Sequence, residues 1–403
     1  MTRKTANPGV LSGIRVLDFT QVLAGPYCTR MLADMGAEVI KIEPPGGEGM
    51  RYMPSIRDGV SGCFLQYNGG KKSLCMDLKT KKAQAFVKEL VRSSDVVIEN
   101  FLVGTMDRLG LGYDVLQREN PNLIMCSITG YGQEGPNKDR LGFAVTIQAD
   151  TGVTDLFRKC RMEDIPPAPH GISFADTIAS YHALGAINAA LFYRERTGTG
   201  QYIDISMYDS LLFTVDHHVQ HHLMTGEAPP RIFGAYPIEG KDGQYIVIGF
   251  GKYEMMGRML KSMGREDLLT DERFSSMSTL LAHQFEFIDI LRDWIQSFDT
   301  IYEVEAILKK ANLPVSKVRT IVEALESSQV AAHGLIAQMD HPRIGTVKVI
   351  DSPIRFSETS SCLRSLAPEI GEHNEYVMTE LLKLPADEVA SLYGQGVLWK
   401  EEV

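Results

Sequence analysis

The 403-residue chain is 44% apolar and 23% charged, ordinary globular values that exclude a disordered, collagen-like or coiled-coil chain. At roughly 150 residues per domain, the length asks for one large domain or two medium ones. The 41 Lys and Arg against 51 Asp and Glu leave a formal charge of −10, the wrong sign for a nucleic-acid coat, although local basic patches for phosphate stay open. Six cysteines without a C-x-x-C pair read as reduced thiols. Residues 1–9 are short and polar, and no apolar run reaches the roughly 18 residues of a membrane span. The expectation is a soluble cytoplasmic protein with no membrane and no nucleic-acid partner.

In chain order, residues 14–20 (IRVLDFT) are an apolar strand ending in a loop at 21–26. A helix over 27–35 and a strand over 38–43 (EVIKIE) complete a βαβ unit. The pattern repeats with a strand at 73–77, a helix at 80–92, a strand at 95–99, a helix at 113–120 and a strand at 122–128. Strands alternating with helices predict an α/β fold, a parallel doubly wound sheet whose strand ends form ligand crevices. The segment IPPAPH at 165–170 interrupts the pattern. A long helix follows over 176–196, rich enough in Ala, Leu and Ile to predict burial on all sides. Gly198 to Gly200 end it before a strand at 202–206. A boundary falls near 225–232, after which one strand (245–249) precedes mostly helices. Strand character returns near 314–319 and again at 347–356, and two short helices close the chain. The expected organisation is a large α/β domain built from both chain ends, 1–225 with 316–403, around a smaller α+β middle domain at 226–315.

The loop at 21–26 holds one glycine, Gly25, and lacks G-x-G-x-x-G, which argues against a nicotinamide-type dinucleotide. Gly110-Leu111-Gly112 and Gly249-Phe250-Gly251 are lone G-x-G pieces, the first best read as turn glycines. His217/His221 and His218/His222 have the i, i+4 spacing that suits a metal on one helix face, but no H-E-x-x-H or fixed third carboxylate accompanies them, so no metal site is expected. Lys71, Lys72, Lys79, Lys81 and Lys82 fall within twelve residues. They read equally as a solvated strand edge and helix start or as point charges for an anionic ligand. Asp176 precedes the long helix. An N-cap role is common there, yet the helix dipole and nearby amides would also hold such a carboxylate ionised, as a nucleophilic carboxylate requires.

Several segments fall into one family order: VLDFT at 16–20 with AGP at 24–26, MLADMGAEVIKIE at 31–43, NGGKKS at 68–73, DVVIENF at 95–101, DRLG at 107–110, SITGYG at 127–132 and GTGQ at 198–201. Through them the chain resembles the class III CoA-transferases, the family of formyl-CoA and carnitine CoA-transferases. The likeness is dense from about residue 11 to 215 and thinner beyond. It implies an open Rossmann-like large domain, a small second domain and two subunits threaded through each other as an interlocked dimer. It implies Asp176 as the nucleophile and CoA contacts at Leu23 and Ala24, at Met76, Asp77, Leu78 and Lys79, at Asn100, Phe101 and Leu102, and at Arg108. Gly249, Phe250 and Gly251 are the nearest match to the family's glycine-rich loop over the active site, with amides able to serve an oxyanion. Some members carry an arginine directly after Lys-Ile-Glu; here that position is Pro44, and Arg51 is the nearest cation that could replace it.

The implied reaction moves CoA from an acyl-CoA to a carboxylic acid through aspartyl anhydride and aspartyl-CoA thioester intermediates, with CoA as substrate and no prosthetic group. Arg158, Lys159 and Arg161 could suit a dicarboxylate such as a succinyl group; a solvated loop explains them equally. Two alternatives belong beside this reading. One is an α-methylacyl-CoA racemase or epimerase, whose relatives place a proton-shuttling histidine where this chain has Gly142-Phe143-Ala144. The other is a non-catalytic acyl-CoA binding subunit of a heteromer. A homodimer, or a heterodimer with a paralogue, is the expected assembly.

Overall fold

The computed structural model describes residues 8–159, 166–168, 171–228, 236–249 and 252–401, and within them every side chain but those of Lys159, Asp216 and His217. The chain divides into two compact units, the first formed by residues 1–155, 167–220 and 333–403, the second by 156–166 and 221–332.

The first unit is organised by six strands: β1 (Arg15–Asp18), β2 (Glu38–Glu43), β3 (Lys72–Cys75), β4 (Val96–Glu99), β5 (Ile124–Thr129) and β6 (Tyr202–Ser206). They lie in the order β3-β2-β1-β4-β5-β6, every neighbouring pair parallel, with Val16 opposite Val39 on one side and Val96 on the other. A parallel sheet is covered by helices on both faces, so its central strands can be apolar throughout. That is why VVIE of β4 and IMCSIT of β5 are buried at every position. Edge strand β6 (YIDIS) instead alternates exposed and half-buried residues.

One sheet face carries α1 (Ala24–Asp34), and the other carries α2 (Lys81–Val91), whose Ala83, Val87, Leu90 and Val91 form a helical stripe into the core. Thr80 caps α2 by accepting the amide of Ala83. The C-terminal segment returns to this unit, with Val377, Met378, Val389 and Leu392 in the same core layer as α2. It also covers the β3 edge, where Trp399 N donates to Cys75 O at 3.1 Å and Asp77 N to Val397 O at 3.0 Å. Such cover removes an edge that would otherwise pair with another chain.

The long helix, α3 (Phe174–Thr197), packs on α1 through Ala175, Ala179, Ala183, Ile187 and Ala190. These small residues let the two helices approach closely. The expectation of burial on all sides holds for this stripe alone. Tyr181, Phe192 and Tyr193 are about half exposed or more on the same helix. An antiparallel pair, Ile336–His341 with Gly345–Ile350, completes the unit. Its first strand was not apparent in the sequence.

The second unit has a three-stranded antiparallel sheet, with Tyr245–Ile248 between Ile238–Glu239 and Val315–Lys317. Helices Tyr253–Met263, Gln284–Gln296 and Ile301–Lys310 bury Met256, Met259, Leu260, Phe287, Leu291 and Val304 with Ile246.

Candidate active site

Strand order reverses between β1 and β4, and in open α/β sheets the crevice outside the strand ends at this point is the usual ligand site. Two loops meet there. Gln21 N donates to Asn100 Oδ1 at 2.8 Å, and Asn100 Nδ2 donates to Gln21 O at 2.8 Å, so each loop fixes the other. Buried Lys41 donates to Thr20 O at 2.8 Å and pairs with buried Glu48 at 3.0 Å. Glu48 Oε2 in turn accepts Val22 N at 2.7 Å. Val22 has φ of 65°, in the left-handed region that a β-branched side chain disfavours. The buried pair therefore holds a strained turn in place. Helix α1 starts immediately after this turn. Gly25 permits it, because a Cβ there would lie 2.2 Å from the side chain of Thr20.

Beneath the loop, Asp18 is fully buried and accepts bonds from Lys71 Nζ (2.9 Å), Thr29 Oγ1 (2.6 Å) and Thr20 N (2.9 Å). Burial alone would raise its carboxyl. Lys71 and Lys41, with the bonds from Thr20 and Thr29, overcome that and hold it at about 2. Lys71 is thus an interior counter-ion, also donating to Asn68 Oδ1 and Pro26 O. Lys72 pairs with Glu38 at 2.5 Å, Lys81 bonds Gln84, and Lys82 bonds Gln395. The five lysines do not form one anion-attracting patch.

Asp176 lies in the first turn of α3, with Ser173 at the N-cap, rather than capping the helix itself. One turn further on, Ser180 Oγ is 2.6 Å from Ala24 O and 2.7 Å from Asp176 O, which anchors this turn to the start of α1. No described residue donates a hydrogen bond to the Asp176 carboxylate. Burial pushes its carboxyl up to about 7. This shift runs opposite to the ionising influence expected of the helix end.

Asp176 opens on a cavity of about 290 Å³, whose walls are residues 21–24 after β1, 100–103 after β4, 128–130 at the end of β5, Lys138 and residues 140–143, and Met207. Gly130 and Gly142 let two walls touch, since a Cβ on Gly130 would lie 3.0 Å from the Gly142 Cα. Leu23, Ala24, Asn100, Phe101 and Leu102 therefore share one cavity with Asp176. Glu99 supports them by accepting Phe101 N at 2.7 Å, and burial raises its own carboxyl to about 7.

The other sequence-derived positions lie elsewhere. Met76 is in the core, Leu78 packs against the same core, and Lys79 is exposed beside Asp77, whose Oδ1 accepts its amide at 3.0 Å. None of the four is on the cavity wall. Arg108 is exposed and donates to Thr105 Oγ1 at 2.8 Å. Arg51 makes a two-pronged contact with Glu43 (2.7 and 2.7 Å), bonds Pro368 O and lies over the Phe64 ring. It is committed to the fold rather than available where Pro44 replaces an arginine. Gly249 belongs to the second unit, its amide bonded to Pro314 O at 2.8 Å. Phe250, Gly251 and Arg161 lie outside the described residues. Among the described residues no three His, Cys, Asp or Glu side chains are grouped to hold a metal, and no helix is long and apolar enough to cross a membrane.

Sequence reasoning passed over Lys138 and Arg140. Both line the Asp176 cavity and bring two cationic side chains to it. The signal was the polar run NKDR directly after the β5 loop. Arg140 is tethered to Asp150 at 3.0 Å and sits 4.8 Å over the Tyr131 ring. Phe143, the position of departure from racemases, is 61% exposed and lies on the same wall.

Residues 11–374 match the family described as CoA-transferase family III. A succinyl-CoA–D-citramalate CoA-transferase of Chloroflexus aurantiacus is 34% identical over 401 residues, 97% of this chain and 98% of that one. The succinyl-CoA–L-malate CoA-transferase beta subunit of the same organism is 32% identical, over 96% and 98% of the two chains. Among solved structures, a CAIB/BAIF family protein from Brucella suis superposes with a TM-score of 0.79 at 32% identity, covering 93% of this chain and all of that one.

Proposed function

The chain belongs to CoA-transferase family III and is a CoA-transferase acting on CoA thioesters; from that premise we propose that it exchanges CoA between succinyl-CoA, or a similar dicarboxylic thioester, and a second carboxylic acid, with Asp176 as the acyl carrier. The observation that carries this reading is the Asp176 carboxylate itself, desolvated and without a hydrogen-bond donor among the described residues, in one cavity with the switch-point loops and two cations. A carboxylate stripped of donors is a better nucleophile than a solvated one. The named substrates of the two Chloroflexus relatives, succinyl-CoA with citramalate or malate, supply the dicarboxylate class.

Asp176 attacks the thioester carbonyl carbon. The C–S bond breaks, CoA leaves as thiolate, and a mixed anhydride remains. The thiolate attacks the aspartyl carbonyl and expels the first acid as carboxylate, leaving an aspartyl-CoA thioester. The acceptor carboxylate attacks that thioester, forming a second anhydride and freeing the thiolate again. Thiolate attack on the acceptor's acyl carbon then releases the new thioester and restores Asp176. No net proton, electron or water is consumed. Leu23, Ala24, Asn100, Phe101 and Leu102 would contact the CoA, and Lys138 and Arg140 its phosphates. Roles for residues 76–79 and Arg108, outside this cavity, and for the Gly249–Gly251 loop, all of which the family resemblance implies, are retained as proposals.

The same reading includes an interlocked homodimer. Phe192 and Phe213 are 64% and 84% exposed, apolar side chains that a second copy would cover. The beta-subunit relative keeps a heterodimer with a paralogue as the second reading of assembly. Incubating purified protein with succinyl-CoA and a panel of carboxylic acids, with products read by mass spectrometry, tests the function. Formation of new acyl-CoA with matching release of succinate is expected. Thioester hydrolysis alone, or no turnover with any acid, would refute it.

A further inference from the structure

The loop after β4 lies between two cavities. Leu102 lines the Asp176 cavity and also a second one of about 240 Å³. Glu99 and Ser127 from the strand ends, Met106, Asp107 and Tyr202 line the second. With open volume at two of its surfaces, Leu102 is not held by close packing alone. Hydrogen bonds fix the loop instead. Asn100 is tied to Gln21 by the reciprocal pair. The next amide, Phe101 N, donates to Glu99 Oε2 at 2.7 Å. Thr105 N then donates to Leu102 O at 3.1 Å, which joins the loop to the short helix Thr105–Arg108.

Glu99 is a costly acceptor for that amide. It is buried, and Asp107 and Asp204 add charge of its own sign. A buried carboxylate without a counter-charge is unfavourable. Glutamine has the same shape, offers an acceptor oxygen and carries no charge to desolvate. What the carboxylate adds is strength, since a charge-assisted bond to a backbone N–H is about twice as strong as a neutral one. The cost is therefore borne at the one place where a stronger tether fixes the Phe101 backbone on the wall of the Asp176 cavity. Glu99 is not on that wall itself.

We infer that Glu99 is a positioning residue for the CoA thioester: by holding Phe101 N it fixes Asn100, Phe101 and Leu102 in the place where they receive the thioester, and it sets affinity through them rather than by contact. This assignment rests on the CoA-transfer reading in which that loop contacts CoA, and it adds the group on which the loop's position depends.

The test compares wild type with Glu99→Leu, which keeps the bulk and loses the acceptor, and Glu99→Gln, which keeps both. Succinyl-CoA is the donor and glutarate the acceptor. The assay runs at pH 8.5, above the value of about 7 at which Glu99 and Asp176 ionise. Glu99→Leu should raise KM for succinyl-CoA roughly tenfold to hundredfold, the worth of a hydrogen bond to a charged group. Its kcat and its KM for glutarate should change little. Glu99→Gln should raise KM for succinyl-CoA only about threefold to tenfold, because a neutral bond keeps about half the strength. Glu99→Ala replaces Glu99→Leu, with the same expectation, if the leucine variant does not fold. A succinyl-CoA KM within about twofold of wild type in the acceptor-less variant would overturn the positioning role while leaving CoA transfer intact. So would equal losses in the acceptor-less and glutamine variants, or a loss confined to kcat. A wild type that transfers CoA, with Asn100→Ala and Phe101→Ala both leaving KM for succinyl-CoA unchanged, would overturn the loop's contact with CoA and this role together.

Discussion

Asp176→Asn should stabilise the protein, and by an amount that depends on pH. The carboxyl ionises near its ordinary 3.8 in the unfolded chain and at about 7 when folded, because burial disfavours the anion. The folded state therefore binds this proton more tightly. Stability is greatest below about pH 4, falls as pH rises toward 7, and stays reduced above it. A shift of about three units at ~1.4 kcal/mol each gives roughly 4 kcal/mol as the upper figure. Asparagine has the shape of the neutral acid and carries no charge to desolvate. Melting temperatures of both proteins, followed by calorimetry from pH 4.5 to 8.5, should lie closest at the acid end, where only about 1 kcal/mol of the difference has developed. They should separate by several degrees at the alkaline end, with the variant higher. In the same window wild-type kcat/KM should rise with pH through an apparent pKa of about 7, as the nucleophile ionises. A variant equal to wild type at pH 8.5, less stable there, or offset by a constant amount at every pH would refute the desolvation account.

Three further outcomes are expected. Asp18→Asn leaves Lys71 buried without its counter-charge and should cost about 3–5 kcal/mol in urea unfolding; a loss under about 1 kcal/mol would contradict the buried pair. Glu48→Gln weakens the Lys41 pairing that holds Val22 at positive φ, so kcat/KM should fall about tenfold, and adding Val22→Gly should recover much of it because glycine takes that conformation without strain; a double variant no better than the single would contradict the positioning role. Incubating (R)-2-methylacyl-CoA in D2O should give neither inversion nor α-deuteration, since Phe143 on the cavity wall cannot move a proton; rapid enzyme-dependent exchange would restore the racemase alternative.

The sheet was legible because most of its strands are short apolar runs closed by a turn, and helix-period stretches separate them. The relative order of strands was not, since pairing is decided by packing between distant segments. The motif around Asn100 marked a loop that lines the cavity, but its reciprocal bonds to Gln21 join residues 79 apart and leave no local pattern. Lys71 read as surface because lysine usually is. Its burial depends on Asp18, Asn68 and Pro26 arriving from separate elements. The place of Asp176 near a helix start was visible. The sign of its pKa shift was not, because burial is a property of the assembled cavity. Arg51 looked available for a ligand until Glu43 and Phe64 closed on it. The strand Ile336–His341 escaped notice because polar Gln338 and the Asp340–His341–Pro342 stretch dilute its alternation.

The central claim is that Asp176 carries the acyl group, and chemical trapping addresses it most directly. Wild-type protein incubated with succinyl-CoA and hydroxylamine, then digested and sequenced by mass spectrometry, should carry a hydroxamate on Asp176, while Asp176→Ala carries none and turns over at least a thousandfold more slowly. The variant should keep its CoA affinity, because Leu23, Ala24, Asn100 and Phe101 are untouched. A hydroxamate on another acidic residue, or an Asp176→Ala protein active within about tenfold of wild type, would contradict the account.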